Sequence, residues 1–296
     1  MALHPDLQAE QAYIDHAYEC LENARASASK LQTMVEVGQG GTEQARFERE
    51  VIYDTIVHRL SQLQLGDASL CFGRVDLEPA GAGETFYIGR LAVADERQEP
   101  LIVDWRAPVA EPFYRATGRD PMDLARRRHF STRGRQLLGI EDELFGEHAI
   151  DLGEAAGING HGALISALET ARSGRLTDIV ATIQGEQDRI IRSPLPGVLV
   201  VQGGPGTGKT VVALHRAAYL LYTDRRRYES GGVLIVGPSG VFMNYIARVL
   251  PSLGETAVAL RSLGEVVDGV RATRHDEPAV AEVKGSARME EVLRRT

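Results

Sequence analysis

Residues 198–210 read VLVVQGGPGTGKT, an apolar run that stops at a glycine-rich loop ending in Gly-Lys-Thr. The loop itself, residues 203–210 and hereafter the glycine loop, fits the pattern G-x-x-x-x-G-K-[ST], which binds phosphate when a buried strand precedes it and a helix follows. Glycines let backbone N–H groups turn toward phosphate oxygens, and the helix N-terminus adds partial positive charge. The pattern therefore predicts a site for a nucleoside triphosphate.

Both flanks of the glycine loop have the required character. Val198–Val201 is short, β-branched and apolar, which predicts a strand buried on both faces. Val211–Tyr222 is apolar nearly all round, which predicts a helix packed under a sheet, and Val233–Val236 predicts a second strand. Together these elements predict one βαβ unit of a P-loop NTPase. The alternative is a glycine-rich turn that binds nothing.

The roles of the predicted site residues follow from this loop. Lys209 can reach the β- and γ-phosphates and the Thr210 hydroxyl can ligate Mg²⁺, so these two are the catalytic candidates and ATP and Mg²⁺ the expected cofactors. Gln184 and Gln187, just upstream, can each offer a donor and an acceptor to an adenine edge, and the alternative is that both are solvated residues of a surface helix. Thr182 and Glu186 are predicted to cap the helix that carries them. The predicted binding residues are Gln187, Gly203, Gly204, Pro205, Gly206, Thr207, Gly208, Lys209 and Thr210.

Composition narrows the class of protein. The chain has 296 residues with ordinary globular usage, a net charge of −8 and two cysteines, Cys20 and Cys71, without metal-ligand spacing. No basic segment followed by an apolar one opens the chain, and no apolar run reaches the ~20 residues that span a bilayer. We therefore expect a cytoplasmic protein without a membrane contact. The basic clusters at 126–135 and 225–227 are interpreted as solvated faces, with nucleic-acid binding as the alternative.

The N-terminal part predicts a helical hairpin followed by strands. Leu7, Ile14, Leu21, Ala28 and Val35 repeat every seven residues, and a glycine cluster at 38–41 separates this helix from a second one at about 43–64. An antiparallel coiled-coil hairpin is one interpretation, and a helical subdomain packed on the body is the other. The predicted strands, loop and helix that follow are Cys71–Leu77, Thr85–Ala94, Pro100–Trp105, Gln136–Phe145 (a strand-and-turn segment), a loop at Gly153–Gly162 and a helix at Ala163–Ser173.

Several segments together resemble a known family. The chain resembles the HelD/HelR type of superfamily 1 helicase-like ATPases, which bind bacterial RNA polymerase and recycle stalled enzyme. DWRAP and ALHRAAYLLY are the most specific of the shared motifs. The segments that resemble the family are YIGR (87–90), LIVDWRAPVAEPFY (101–114), TIQGEQDRIIR (182–192), GGPGTGKTVVALHRAAYLLY (203–222) and VGPSGVFMNYIARVLPSLGE (236–255).

The resemblance implies a fold, partners and roles. It implies an α/β fold with an incomplete RecA-like P-loop NTPase core at 176–296, preceded by the hairpin at 1–65 and a β-rich module with an Arg-rich insertion at 66–175. RNA polymerase core is the expected partner, single-stranded DNA is a further one, and Gln187 is expected to contact adenine. Residues 237–239, Phe242 and Tyr245 match a DNA-contacting segment, although their spacing favours a core role for the two aromatic residues.

A motor of this type also needs an Asp-Glu pair at the end of a later buried strand. The one Asp-Glu downstream of the glycine loop, Asp276-Glu277, follows a polar segment. We therefore expect the N-terminal part of such an ATPase, truncated before this pair and without an arginine finger, which binds ATP and hydrolyses it negligibly by itself. Two alternatives stay open: a fragment of an ATP-dependent DNA helicase, and a non-catalytic polymerase-binding protein with a residual nucleotide site.

Overall fold

A computed structural model describes most of the chain. The described residues are 4–37, 43–63, 65, 68–78, 83–145, 180–228, 232–247, 258–267, 269, 274 and 276–295. The contacts divide the chain into two compact units, Met1–Val233 with Ala247–Val258, and Leu234–Ile246 with Ala259–Thr296. The predicted glycine cluster at 38–41, the loop at Gly153–Gly162 and the helix at Ala163–Ser173 lie outside the described residues.

The elements are numbered in chain order. The helices are α1 (Leu7–Val37), α2 (Glu43–Gln62), α3 (Glu111–Arg115), α4 (Gly185–Ile191), α5 (Lys209–Thr223), α6 (Arg225–Tyr228), α7 (Gly240–Ala247), α8 (Pro278–Lys284) and α9 (Arg288–Arg294). The strands are β1 (Cys71–Leu77), β2 (Thr85–Gly89), β3 (Val93–Ala94), β4 (Pro100–Asp104), β5 (Leu124–Arg133), β6 (Gln136–Leu144), β7 (Val233–Gly237) and β8 (Val258–Ser262). Short 3₁₀ turns occupy Pro108–Ala110, Val180–Thr182 and Leu263–Glu265.

The first unit contains a mixed sheet in the order β3-β4-β2-β1-β5-β6, in which β2 and β4 are parallel and the other neighbours antiparallel. The predicted strands at Cys71–Leu77, Pro100–Trp105 and Gln136–Phe145 are confirmed to within a residue. The predicted single strand at Thr85–Ala94 is wrong in one respect: it is two strands, β2 and β3. They lie on opposite sides of β4, so a turn must separate them.

The first half of α1 packs on this sheet. Ile14, Tyr18 and Leu21 are buried in one cluster with sheet residues that include Ile102 and Phe130. The Tyr18 hydroxyl accepts a hydrogen bond from the Leu70 N–H at 2.9 Å, just before β1. The apolar residues of the predicted heptad stripe therefore have two packing partners. Those in the first half of α1 pack on the sheet, and those in the second half face α2.

The second half of α1 runs beside α2 in the opposite direction. The Arg25 side chain donates to the Leu63 carbonyl, and Gln32 Nε2 donates to the Tyr53 hydroxyl at 3.3 Å. Partner numbers fall along α2 as they rise along α1, so the two helices are antiparallel. Leu31 and Met34 are 53% and 59% exposed, so the end of the pair distant from the sheet keeps an apolar surface.

The arginines of β5 are paired with carboxylates. Arg128 is 1% exposed and donates to Asp142 on β6 at 2.7 Å, to Asp6 at 2.6 Å and to Glu10 on α1 at 2.5 Å. Burial opposes the charged form, but these hydrogen bonds, led by that to Asp142, raise the pKa of Arg128. Arg126 pairs with Asp76 of β1 at 2.6 Å. Arg128 thus joins helix and sheet, so the predicted interpretation of this basic cluster as a solvated face is wrong for Arg128.

The opposite face of the sheet receives α3. The Phe113 ring packs on Gly73 so closely that an added Cβ there would lie 2.2 Å from Phe113 Cε2. Arg127 of β5 donates to the Phe113 carbonyl at 2.9 Å and to the Ala116 carbonyl at 3.2 Å. Side chains alternate in direction along β5, so neighbouring arginines bind elements on both faces of the sheet.

A histidine on this second face makes stability depend on pH. The half-buried His129 ring lies 4.9 Å from the Phe113 ring, and burial, with the Arg127 charge, lowers its pKa from 6.5 to about 4 against an opposing effect of Asp142. The unfolded chain binds this proton first, so stability is full above about pH 6.5 and falls as pH drops toward 4. We expect His129→Gln to remove about 2 kcal/mol of the stability that the chain loses between pH 7 and pH 4.5, measured by urea unfolding at both pH values. An unchanged pH dependence in the variant would contradict this assignment.

Candidate functional site

The glycine loop leads directly into α5. Gly206 and Gly208 have φ angles of +77° and +84°, in the left-handed region that side chains rarely adopt, and Gly208 precedes the first residue of α5. Val212 N–H donates to the Gly208 carbonyl at 2.9 Å, so helical bonding begins at the loop itself. The predicted helix at Val211–Tyr222 is confirmed and begins two residues earlier, at Lys209.

Lys209 folds over the loop that precedes it. Its Nζ donates to the carbonyls of Gly203 and Gly204 at 2.8 and 2.6 Å. The Thr207 hydroxyl also donates to the Gly204 carbonyl, at 2.9 Å. Lys209 and Thr210 are both exposed. An ammonium group and a hydroxyl therefore lie within reach of a ligand in the loop, at the positive end of α5.

The predicted buried strand before the loop is wrong for the described structure. Residues 198–201 form no strand, and Val198 and Val200 are 92% and 73% exposed. An apolar run becomes a strand only where a neighbouring strand supplies hydrogen-bond partners. Among the described residues no strand pairs with this run, since β7 pairs with β8 and the other strands belong to the mixed sheet.

Gln187 on α4 lies against the glycine loop. Its Nε2 donates to the Thr207 carbonyl at 3.4 Å, and its Oε1 accepts from the Gln184 N–H at 3.2 Å. The predicted capping by Thr182 and Glu186 is wrong, because Gln184 is the N-cap and Thr182 ends a separate 3₁₀ turn. The cap nevertheless brings the predicted base-binding amide to the loop.

A buried carboxylate fixes α4 to the sheet-bearing part of the unit. Asp188, with no exposed side-chain surface, accepts from Arg115 of α3 at 2.7 Å and from Arg192 at 2.9 Å. No role for Asp188 was predicted from the sequence. The sequence did contain a sign of the Asp188–Arg192 pair, since the two residues have the (i, i+4) spacing of a helical ion pair. No nearby residue indicated the pairing of Asp188 with Arg115.

Arg192 connects α4 to the segment Asp104–Pro108, hereafter the DWRAP segment. Its guanidinium donates to the carbonyls of Trp105, Arg106 and Ala107 at 2.7, 3.0 and 3.3 Å. Arg106 in turn makes a two-pronged ion pair with Asp104 at 2.8 and 2.7 Å, and both are buried. The DWRAP segment therefore presents its backbone oxygens to the helix that holds Gln187.

The same segment contacts α5. The Trp105 ring is 1% exposed and meets His215 of α5 edge-on at a centroid distance of 5.5 Å. Arg216, the next residue, donates to the Ile190 and Ile191 carbonyls at 3.1 and 3.0 Å and so binds the end of α4. Both helices that flank the glycine loop therefore pack against the DWRAP segment and against each other.

The segment that matches the DNA-contacting motif lies in the second unit. Met243 and Ile246 of α7 are buried, and Phe242 is half-buried. Gly237 packs so tightly that an added Cβ would lie 2.2 Å from Met243 Sδ. Tyr245 is 41% exposed, so the core interpretation is wrong for that residue. Two residues along a helix turn the direction by about 200°, so Tyr245 points away from Met243.

Within the described ranges, no group of three or more His, Cys, Asp or Glu side chains is arranged to hold a metal ion. None of the helices described there has the length and apolar character needed to cross a membrane.

Comparison with known proteins relates the N-terminal half of the chain to a helicase family. A family model described as DNA helicase IV HelD, N-terminal domain, matches residues 7–157, about half of the chain. The matched range includes α1, α2, the mixed sheet and the DWRAP segment, and it ends before α4 and the glycine loop. No curated protein matches the chain.

Proposed function

The chain belongs to the family of the DNA helicase IV HelD N-terminal domain, and from this membership we propose that it is the N-terminal portion of a superfamily 1 helicase-like ATPase. In this proposal the glycine loop binds ATP with Mg²⁺, and residues 176–296 are the first part of a RecA-like P-loop NTPase domain. The hairpin at 1–65 and the β-rich module at 66–175 are the parts that precede it.

The contact between Gln187 and the glycine loop is the observation that supports ATP best. Gly203 and Gly204 lie beside the Lys209 ammonium, and Gly208 turns in the left-handed region toward α5. A triphosphate needs this combination of close backbone approach, positive charge and helix N-terminus. The Gln187 amide, at the Thr207 end of the loop, offers a donor and an acceptor to an adenine edge.

The residues also fit the metal that accompanies ATP. The exposed Thr210 hydroxyl follows Lys209 at the first turn of α5. A hydroxyl at this position of a P-loop ligates Mg²⁺, which neutralises charge on the β- and γ-phosphates. Titration of the chain with MgATP tests the proposal, and saturable binding is the expected result.

We propose that this portion does not itself supply the acidic pair that would activate water. Asp276 and Glu277 directly precede α8, and Asp276 accepts from Lys284 of that helix at 2.9 and 3.0 Å. The pair therefore precedes a helix, whereas a catalytic pair follows a buried strand. We propose that these residues supply nucleotide binding and that turnover needs carboxylates from elsewhere.

The hairpin is the proposed contact with bacterial RNA polymerase. Its distal end exposes Leu31, Met34, Phe47 and Val51, at 53%, 59%, 68% and 50% of their surfaces. Exposed apolar side chains in one region mark a protein-binding surface. In this proposal the hairpin acts by occupying a cleft of the polymerase. A non-catalytic polymerase-binding protein is the second candidate function, since this surface is independent of the glycine loop.

Shortening the hairpin tests the partner. Deletion of all of residues 1–65 would remove Ile14, Tyr18 and Leu21 from the core, so we propose to replace only residues 31–54 with a four-residue glycine-serine linker. We expect capture of bacterial RNA polymerase core enzyme to fall at least tenfold, because the exposed apolar end is lost. Circular dichroism and an unchanged MgATP titration serve as controls, and polymerase capture equal to that of the intact chain would refute the proposed contact.

A further inference from the structure

We propose that the DWRAP segment and Arg115 position Gln187 and thereby set the base preference of the glycine loop. The inference rests on the proposed function, in which the loop binds ATP. It assigns a role to the motif that nucleotide binding alone leaves unexplained, because the DWRAP segment lies some eighty residues before Gln187 in the chain. The residues concerned act through α4 and are positioning residues.

The first step is that Asp188 determines the rotation of α4. This helix has seven residues, about two turns, so few contacts fix its direction about its own axis. Asp188 follows Gln187 immediately, and its carboxylate is held from outside the helix by Arg115 and from within it by Arg192. Because neighbouring helical residues differ in direction by about 100°, fixing the Asp188 side chain also fixes where Gln187 points.

The second step is that Arg192 fixes the position of the helix end. Three successive backbone oxygens, those of residues 105–107, accept from this one guanidinium at distances of 2.7 to 3.3 Å. The buried pair between Asp104 and Arg106 holds the backbone in the turn that makes this convergence possible. The N–H of Arg106 also donates to Asp104 Oδ1 at 2.9 Å, which closes the turn locally.

The third step is that the same segment supports the other side of the loop. Trp105 packs against His215, which lies six residues after Lys209 on α5. One rigid segment thus contacts both α4, which holds the base-binding amide, and α5, which holds the phosphate-binding lysine. The distance between base and phosphate subsites is consequently set by residues of the β-rich module.

These contacts predict a specific defect when Arg115 is lost. The Asp188 carboxylate then pairs with Arg192 alone. Among the described residues, Arg115 is the one ion-pair partner of Asp188 that lies on another helix, so its loss frees α4 to rotate. Arg115 bonds to Asp188 and Glu111 in the described structure, not to Lys209 or the loop glycines, so triphosphate binding is expected to be retained. Adenine recognition through Gln187 is the property that changes.

The experiment compares MgATP and MgGTP affinities of the full 296-residue chain with those of Arg115→Met, by competition against a fluorescent nucleotide. We expect the intact chain to prefer ATP, and the Arg115→Met variant to lose ATP affinity at least tenfold with less than a twofold change for GTP. Arg115→Lys should restore part of the preference. Arg189→Met, an exposed position on the same helix, is the matched control and should leave both affinities unchanged.

Each result has a defined meaning. An ATP-to-GTP ratio that is unchanged in Arg115→Met, or an equal loss for both nucleotides by folded protein, overturns the positioning role while the proposed function stands. Absence of binding by the intact chain refutes the proposed function itself. Trp105 is the chain's single tryptophan and is buried, so its emission reports folding. If Arg115→Met does not fold, the near-isosteric Asp188→Asn is measured in its place. The same loss of the preference for ATP over GTP is expected, and an unchanged ratio again overturns the positioning role.

Discussion

Lys209→Ala is expected to raise the dissociation constant for MgATP about 100-fold, equivalent to about 2.7 kcal/mol. The Lys209 ammonium lies over the glycine loop, within 2.8 Å of the Gly203 and Gly204 carbonyls. Charge-assisted hydrogen bonds to phosphate oxygens are roughly twice as strong as neutral ones, and alanine provides neither charge nor donor. Isothermal titration calorimetry with MgATP measures the change.

The control for this experiment is another exposed lysine. Lys284 is 60% exposed at its side chain and pairs only with Asp276 among the described residues, at 2.9 Å, so Lys284→Ala removes the same charge and is expected to leave binding within twofold. Unfolding of Lys209→Ala should match that of the intact chain, because the Lys209 side chain is exposed. Equal MgATP affinity in Lys209→Ala and the intact chain would refute the glycine loop as the site.

Arg128→Met is expected to lower the free energy of unfolding by about 3–5 kcal/mol. Arg128 is 1% exposed and is paired with three carboxylates, of which Glu10 is itself only 2% exposed. Removal of one member of a buried ionic network leaves the others with uncompensated charge, which lowers the free energy of unfolding by about 3–5 kcal/mol. Urea unfolding, followed by Trp105 emission, measures the change.

An exposed arginine at the end of the same strand offers a matched comparison. Arg133 lies on the same strand, β5, and is exposed, so Arg133→Met is expected to change stability by less than about 0.5 kcal/mol. Because Arg128 joins α1 to β5 and β6, its loss should also weaken the packing of the hairpin base on the sheet. A loss of stability in Arg128→Met no larger than that in Arg133→Met would show that the network contributes nothing to folding.

Local patterns in the sequence were sufficient for most of the elements. Alternation and turn residues located β1, β4 and β6, and the seven-residue repeat located α1. The glycine loop was recognised because its backbone requirements are met by adjacent residues: Gly206 and Gly208 do adopt the left-handed conformation that motivates glycine there. Such features depend on a few consecutive residues, so spacing reveals them.

Assignments that depend on a distant partner were incomplete or wrong. The predicted strand at Val198–Val201 required a neighbouring strand that the described structure does not place beside it. The basic run at 126–128 left two interpretations open, a solvated face and a nucleic-acid site. Neither describes the buried Arg128, whose partners include Glu10, 118 residues away, and Asp6. The role of Asp188 depended on Arg115, 73 residues away. Local sequence patterns do not reveal such pairings between distant residues.

The sequence by itself determined the residues on which the proposed chemistry depends: a glycine-rich loop, a lysine and a hydroxyl after it, and a glutamine upstream. Tertiary structure alone decided how that chemistry is oriented, by bringing Gln187 to Thr207 and by fixing α4 through Asp188 and Arg192. The reason is physical. Backbone conformation is set by neighbouring residues, whereas the direction of a side chain at the site is set by buried charges that meet only when distant segments pack.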